Sequence, residues 1–278
     1  MSNYYCLIAG LPDIHLDDQK LPYTVSSFRD EVYEQLSSKD QKTIDLFFLR
    51  YDNLNLLAYL KDKDAVLDQR GRLTASDFEL MIKQAKEGDR LVGVANYFEP
   101  FLLKYFDEKT AEENLLVEDL LSALYYDYAL KSSNDFAAKW FEFSLNLNNM
   151  LIASSARKHG FNIEQLIIGS GEVAKALKTS SARDWGLGGE LEYVEAVQRI
   201  AEESEIQEKE HKIDQLKWDW LEENTFFHYF SIERIISFLL RLEIIERWQK
   251  LNKMAGEANL RAVIARLKEE VRLPEDYE

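Results

Sequence analysis

Cysteine, proline and long apolar runs are all scarce in this chain, and each scarcity removes a class of protein. A single cysteine, Cys6, in 278 residues excludes an internal disulfide and any multi-cysteine zinc site, and fits a reducing compartment, so a cytoplasmic location is expected. The opening apolar run, 4–11, is too short to span a bilayer, has no basic residue ahead of it and ends at Gly10-Leu11-Pro12 without a processing site, so neither secretion nor insertion is expected. Prolines stand only at 12, 22, 100 and 274, which permits long helices almost everywhere between 23 and 273. Positive charge is short as well: 34 Lys and Arg against 50 Asp and Glu give a formal charge of −16. A surface of that sign repels phosphate backbones, and nucleic acid is not an expected partner. No P-loop is present, and no Gly-x-Gly-x-x-Gly opens a helix after a strand. Gly186-Leu-Gly188-Gly189 leads into Glu190 and Glu192, which oppose a bound anion even though a helix start favours one.

What is present is a repeated apolar pattern. Three stretches can be laid over one another: Phe48-Leu-Arg-Tyr51-Asp52-Asn53-Leu54-Asn55-Leu-Leu57, Phe141-Glu-Phe-Ser144-Leu-Asn146-Leu147-Asn148-Asn-Met150 and Phe227-His-Tyr-Phe230-Ser-Ile-Glu233-Arg234-Ile-Ile236. They lie 93 and 86 residues apart, and a period of this size implies a stacked helical body. The reading is an all-α fold with an N-terminal segment 1–23 and three units, 24–100, 101–189 and 190–278, forming a funnel-like or stacked body; any strand is confined to the first ten residues. A helix starts at Thr24 to Ser27 after Pro22, and a core helix runs over 44–60 on apolar spacing. Further helices are expected at 78–84, 96–106, 115–130 and 136–156, the last capped by Asp135. The third unit reads as one long charged helix over 190–223, an apolar partner block over 226–248 and a final amphipathic helix over 257–271 that stops before Pro274.

Chemistry-bearing patterns are few. Glu208-Lys-Glu-His211 is half of a di-iron helix motif without its second copy, and reads as a solvated face. Cys6 reads as a core thiol, and Ser154-Ser155 has no nucleophile-elbow context. No catalytic, cofactor or metal residue is expected. The aromatic cluster Trp218, Trp220, Phe226, Phe227, Tyr229 and Phe230 reads mainly as core, with an exposed docking surface as the alternative. Asn55 and Asn148 read as equivalent positions, both buried with bonded amides. Six of the eleven glycines fall in 160–189, and this segment with Arg183-Asp184-Trp185 is the one place for a small-molecule site, although no nucleophile, base and donor converge there.

The repeats resemble the C-type subunit of V-type and A-type ATPases, termed d-type in eukaryotic complexes, whose three helical units each carry a helix of the form Asp-x-x-Asn-Leu-x-x-x-Leu. Asp52-Asn53-Leu-Asn55-Leu56-Leu-Ala-Tyr-Leu60 resembles the first. Asn146-Leu147-Asn148-Asn-Met150, leading to Ala156-Arg157-Lys-His-Gly160 and to Gly169-Ser-Gly171, is similar to the second. The run from Phe230 through Glu233 to Glu243, with Ile244, Arg247, Leu251 and the helix 260–271, resembles the third. The family usually opens with a helix bearing Tyr and Arg, whereas this chain has no Arg before Arg29. Its opening resembles instead an uncharacterised bacterial family found beside V-type ATPase subunits. The resemblance implies a non-catalytic subunit that couples the central stalk to the membrane rotor ring in proton or sodium transport, without cofactor. It would lie in the cytoplasm, peripheral at the inner membrane through the complex. Asp52, Asn53, Asn55, Asn146, Asn148, Arg157, Glu233 and Glu243 are the candidate repeat-defining or partner-contacting residues. The competing expectation is a cytoplasmic helical scaffold or adaptor for an unrelated protein.

Overall fold

Two long helices of almost equal length organise the chain. The first, α3 (Ser38–Lys61), is capped by Ser37, whose hydroxyl accepts the Asp40 amide; the second, α7 (Asp135–His159), is capped by Asn134, whose side chain accepts the Ala137 amide. Asn134 thus takes the capping role expected of Asp135, which lies inside the first turn, where its charge suits the helix dipole. A left-handed Gly160 ends α7, a conformation open to glycine without a Cβ clash. The computed structural model describes residues 4–18, 20–21, 23–107 and 116–270, with side chains described as far as 253. Pro22, Leu115, Val271 and Pro274, used above as helix boundaries, lie outside the described residues.

Among the described residues the fold is all-α, with twelve α-helices and no strand. Before α3 come α1 (Tyr5–Ala9) and α2 (Val25–Glu31); between α3 and α7 come α4 (Ala75–Glu87), α5 (Phe98–Tyr105) and α6 (Val117–Ala129). After α7 follow α8 (Ile163–Leu166), α9 (Glu172–Thr179), α10 (Val194–Glu202), α11 (Ile206–Thr225) and α12 (Ile232–Glu270). Thr24 caps α2 through the Ser27 amide, and Pro100 sits in the first turn of α5, where its missing N–H leaves no bond unmade. The core is one apolar cluster that runs through both long helices and the buried part of α12. At its centre Phe47 of α3 stacks on Phe141 of α7, centroids 4.9 Å apart, and Tyr125 of α6 meets Phe141 edge-on while its hydroxyl donates to the Leu46 carbonyl at 2.9 Å.

The burial patterns of the two helices match one residue away from the register that the shared letters imply. Outward-facing Leu54 and Asn148 correspond, as do buried Asp52 and Asn146, and buried Asn55 and Asn149; the offset is therefore 94 residues, not 93. Asn149, not Asn148, matches Asn55 in burial and bonding. Each holds one residue of the loop beneath it by both its amide and its carbonyl. Asn55 Nδ2 donates to the Asp68 carbonyl at 2.9 Å and its Oδ1 accepts the Asp68 amide at 2.7 Å. Asn149 Nδ2 donates to the Ile168 carbonyl at 2.8 Å and its Oδ1 accepts the Ile168 amide at 3.2 Å. Asn148 is exposed and only reaches the Tyr126 hydroxyl at 3.3 Å. The shared Asn-Leu-Asn letters give a register one residue away from the one the buried faces require.

Three other expectations change. Tyr5–Ala9 form a helix rather than an extended segment: a short apolar run does not distinguish the two. Tyr4 anchors it, its amide donating to the Phe230 carbonyl at 2.9 Å and its hydroxyl to Asp40 at 2.5 Å. The single helix expected at 190–223 breaks at 203–205. There the Glu203 carboxylate accepts the Ser204 and Glu205 amides and Glu205 caps the Gln207 and Glu208 amides, so α11 begins afresh and folds back along α10. Conversely, the segments expected to be separate at 226–248 and 257–271 are joined: one continuous α12 of 39 residues runs from Ile232 to Glu270, preceded by turn and bend over 226–231. A glycine such as Gly256 costs a helix only about 1 kcal/mol, too little to stop one already anchored.

Loss of a clasp is expected to destabilise in proportion to what it leaves buried and unbonded. Asn149→Leu should cost about 1–3 kcal/mol in urea unfolding, and Asn148→Leu close to nothing; equal effects would sink the revised register. Gly71→Ala provides a second test, because a Cβ there would lie 2.5 Å from Asn55 Nδ2 and 2.9 Å from Asp52 Oδ1, forcing the first clasp apart.

Candidate functional site

Where α3 meets α12, charged groups are gathered inside the body. Tyr51 Oη donates to Glu243 Oε1 at 2.6 Å, Arg50 Nη2 donates to Tyr51 Oη at 2.9 Å, and Arg50 Nη1 lies 3.1 Å from Glu243 Oε2. From the α3–α4 loop, the Arg70 guanidinium covers the Tyr51 ring at 4.2 Å and pairs with Asp68 at 2.5 Å. One turn along α12, Glu246 Oε1 accepts the Val25 amide at 2.7 Å, fixing the start of α2. Burial pushes the Glu243 carboxyl above its ordinary range, against Arg50 and the Tyr51 hydroxyl, which hold it down. Burial and then Glu243 raise the Tyr51 phenol far above its usual value, so Tyr51 is a fixed donor at neutral pH.

A second charged set lies beside it. Asp214 of α11 is buried at 1% exposure; it accepts from Arg247 Nη2 and from Trp248 Nε1, the latter at 2.8 Å, and Lys217 Nζ stands 3.7 Å away. Both sets border a recess of about 210 Å³ between α3, α6, α7, α11 and α12, with Phe47, Tyr126, Trp140 and Ile244 among its walls. None of Arg50, Lys217 or Arg247 stands out in a sequence rich in charge. They come from helices far apart in the chain, and only the packing brings them together.

The sequence-predicted residues mostly serve the architecture. Asp52, 1% exposed, accepts the Arg72 and Leu73 amides at 2.7 and 2.9 Å; burial raises its carboxyl, and those two amides pull it back. Asn53 Oδ1 accepts the Tyr97 hydroxyl at 2.5 Å, and Asn146 Nδ2 reaches the Tyr193 hydroxyl at 3.4 Å. Arg157 covers the buried Trp185 ring at 5.1 Å and donates to the Ser180 and Ala182 carbonyls. Glu233 accepts from Asn134 Nδ2 at 2.8 Å, tying α12 to the cap of α7. Only Glu243 belongs to the charged junction.

A groove of about 790 Å³ runs between α7, α9, α10 and α11, and Gly169, Ser170 and Gly171 form part of its edge beside Asn146, Asn149 and Tyr193. Acidic side chains, Asp127, Glu142, Glu172 and Glu190, outnumber Lys139 along it. Arg183 and Trp185 do not line it; Arg183 pairs with exposed Glu202 at 2.9 Å, so the small-molecule constellation considered above does not assemble. Glu208 pairs with Lys212 at 3.5 Å and His211 with Asp17 at 3.3 Å. Among the described residues no group of three or more His, Cys, Asp or Glu is placed to hold a metal ion, and no helix is long and apolar enough to cross a membrane.

The aromatic cluster divides. Trp218 is buried and Trp220 stacks on Phe143 at 5.1 Å, as core packing requires. Phe226, Phe227, Tyr229 and Phe230, expected in the core, lie exposed in the connection from α11 to α12, with Phe227 82% exposed. Tyr5 of α1 joins them, its ring 4.8 Å from Phe230, while Phe226 and Phe227 meet edge-on at 5.0 Å. Cys6, also expected in the core, is exposed on the same short helix. Exposed rings gathered in one connection are the kind of apolar surface that marks an interaction site.

Residues 1–271 match the family described as "Protein of unknown function (DUF2764)". The chain belongs to this family. No curated protein and no solved structure matches it.

Removing the bond at the heart of the charged junction leaves a buried carboxylate oxygen short of a donor. Tyr51→Phe should therefore cost about 1–3 kcal/mol in chemical denaturation with little change of helix content. A neutral result would show that Arg50 alone satisfies Glu243.

Proposed function

We propose that this protein is a non-catalytic component of a V-type ATPase, resembling the C-type subunit, that couples the central stalk to the membrane rotor ring in proton or sodium transport. One observation carries the reading: three long helices, α3, α7 and α12, converge on a single junction, and two of them carry the same asparagine clasp 94 residues apart. That arrangement supports a body of related helical units, as the resemblance to the C-type family implies. On this reading the units at 24–100, 101–189 and 190–273 are related by rotation, and their polar positions hold loops rather than react. The exposed aromatic surface around Phe227 is the part of the body suited to be covered by a neighbouring protein of the complex. The protein then works in the cytoplasm, peripheral at the inner membrane through the complex.

The test is affinity purification of the tagged protein from its own cells in mild detergent, with the co-purifying chains identified by mass spectrometry. Stalk and ring subunits should be recovered, and Phe227→Asp should lower their recovery at least about tenfold, roughly 1.4 kcal/mol of binding, without moving the melting temperature. Recovery of neither, from a preparation in which the ATPase is shown to be intact, would discard the coupling role and favour a helical adaptor for another protein.

A further inference from the structure

The charges around the 210 Å³ recess match in number but not in hydrogen bonding. Three cations, Arg50, Lys217 and Arg247, border it with two carboxylates, Asp214 and Glu243, and Glu210 pairs with Arg247 at 2.8 Å. Both carboxylates are already engaged: Glu243 with Tyr51 and Arg50, and Asp214 with Arg247 and Trp248. Lys217 is the cation left over. Its side chain is 24% exposed and its nearest carboxylate oxygen, Asp214 Oδ1, is 3.7 Å away, beyond hydrogen-bond distance. No acceptor among the described residues takes any of its three donors. Burial depresses the Lys217 ammonium below its usual value; Asp214 and Glu210 work against this, and Arg247 and Arg50 add to it. A largely desolvated ammonium beside two guanidinium groups is costly when empty-handed and favourable once an anion arrives.

From this geometry we propose that the recess at the helix junction binds a small oxyanion, a phosphate or carboxylate group, held by Lys217 with Arg50 and Arg247 at its edge. The volume sets the class. Pockets for nucleotides and comparable ligands run to about 300–1,000 Å³, so a recess of about 210 Å³ suits a single phosphate or carboxylate group. Two sources offer such a group: free inorganic phosphate, or an acidic side chain of a protein partner. The site stands on its own residues and does not depend on the coupling role.

Calorimetric titration of the full chain with inorganic phosphate and, separately, with sodium acetate, at constant ionic strength set by potassium chloride, tests it. At least one anion should bind with one-to-one stoichiometry and raise the melting temperature. Phosphate at least tenfold tighter than acetate assigns the free ion; acetate as tight or tighter assigns a carboxylate from a partner. Lys217→Gln should weaken binding at least tenfold while its own melting temperature stays level or rises, and Lys217→Arg, which keeps the charge, should bind within about threefold of the parent by the long reach of a guanidinium. Absence of binding by both anions, or full binding by folded Lys217→Gln, would overturn the proposal.

Discussion

Glu243 can be buried only because its partners arrive from the other end of the chain. Tyr51, 192 residues away, and Arg50 beside it leave α3 and α12 one workable register, since a buried carboxylate without donors is far costlier than a mismatched apolar contact. Other contacts propagate from that register. Glu246, a turn further on, holds the start of α2; Arg247 engages Asp214 and Glu210 on α11; Glu233 reaches the cap of α7. Apolar burial supplies most of the drive to fold, but Phe, Leu and Ile would accept several neighbouring alignments. The polar bonds choose among them.

How far the fold is legible in the sequence follows from which forces act locally. Helix class, the Thr24 cap, the place of Pro100 and the extent of α6 and α7 are set by neighbouring residues, and the sequence shows them. The break at 203–205 depends on glutamates turning back onto their own backbone, which in a charge-rich stretch cannot be told from a solvated helix face. The joining of the last two expected segments into α12 depends on anchoring of its buried end, which local pattern does not show.

The site is less legible than the fold. Asp52 and Asn55 stand out correctly, yet Asn148 displaces Asn149, because matching letters do not track the faces that have to be buried. Lys217, Asp214 and Arg247 belong to a constellation that exists only after α11 folds against α12, and fifty carboxylates make any one of them unremarkable in advance. The exposed rings at 226–230 escape for a different reason. Aromatic residues are usually buried, and nothing in the local pattern sets these apart.

The distribution of charge also differs from what composition conveys. Arg70, Lys217, Arg241 and Arg247 lie wholly or partly between helices, near Tyr51, Asp214, Trp218 and Trp248. Carboxylates are drawn inward with them, Asp52, Asp214 and Glu243 being buried alongside Arg241, so the buried charge is of both signs. The unbroken course of α12 carries a mechanical meaning. Ile245 is the last buried residue among its described side chains and its backbone stays helical to Glu270, a span of about 38 Å at 1.5 Å per residue. A rod of that length, clamped at its near end by Glu243 and Arg247, is a lever: a small tilt imposed on its far end arrives as torque on the junction, where α3, α11 and α12 are pinned together.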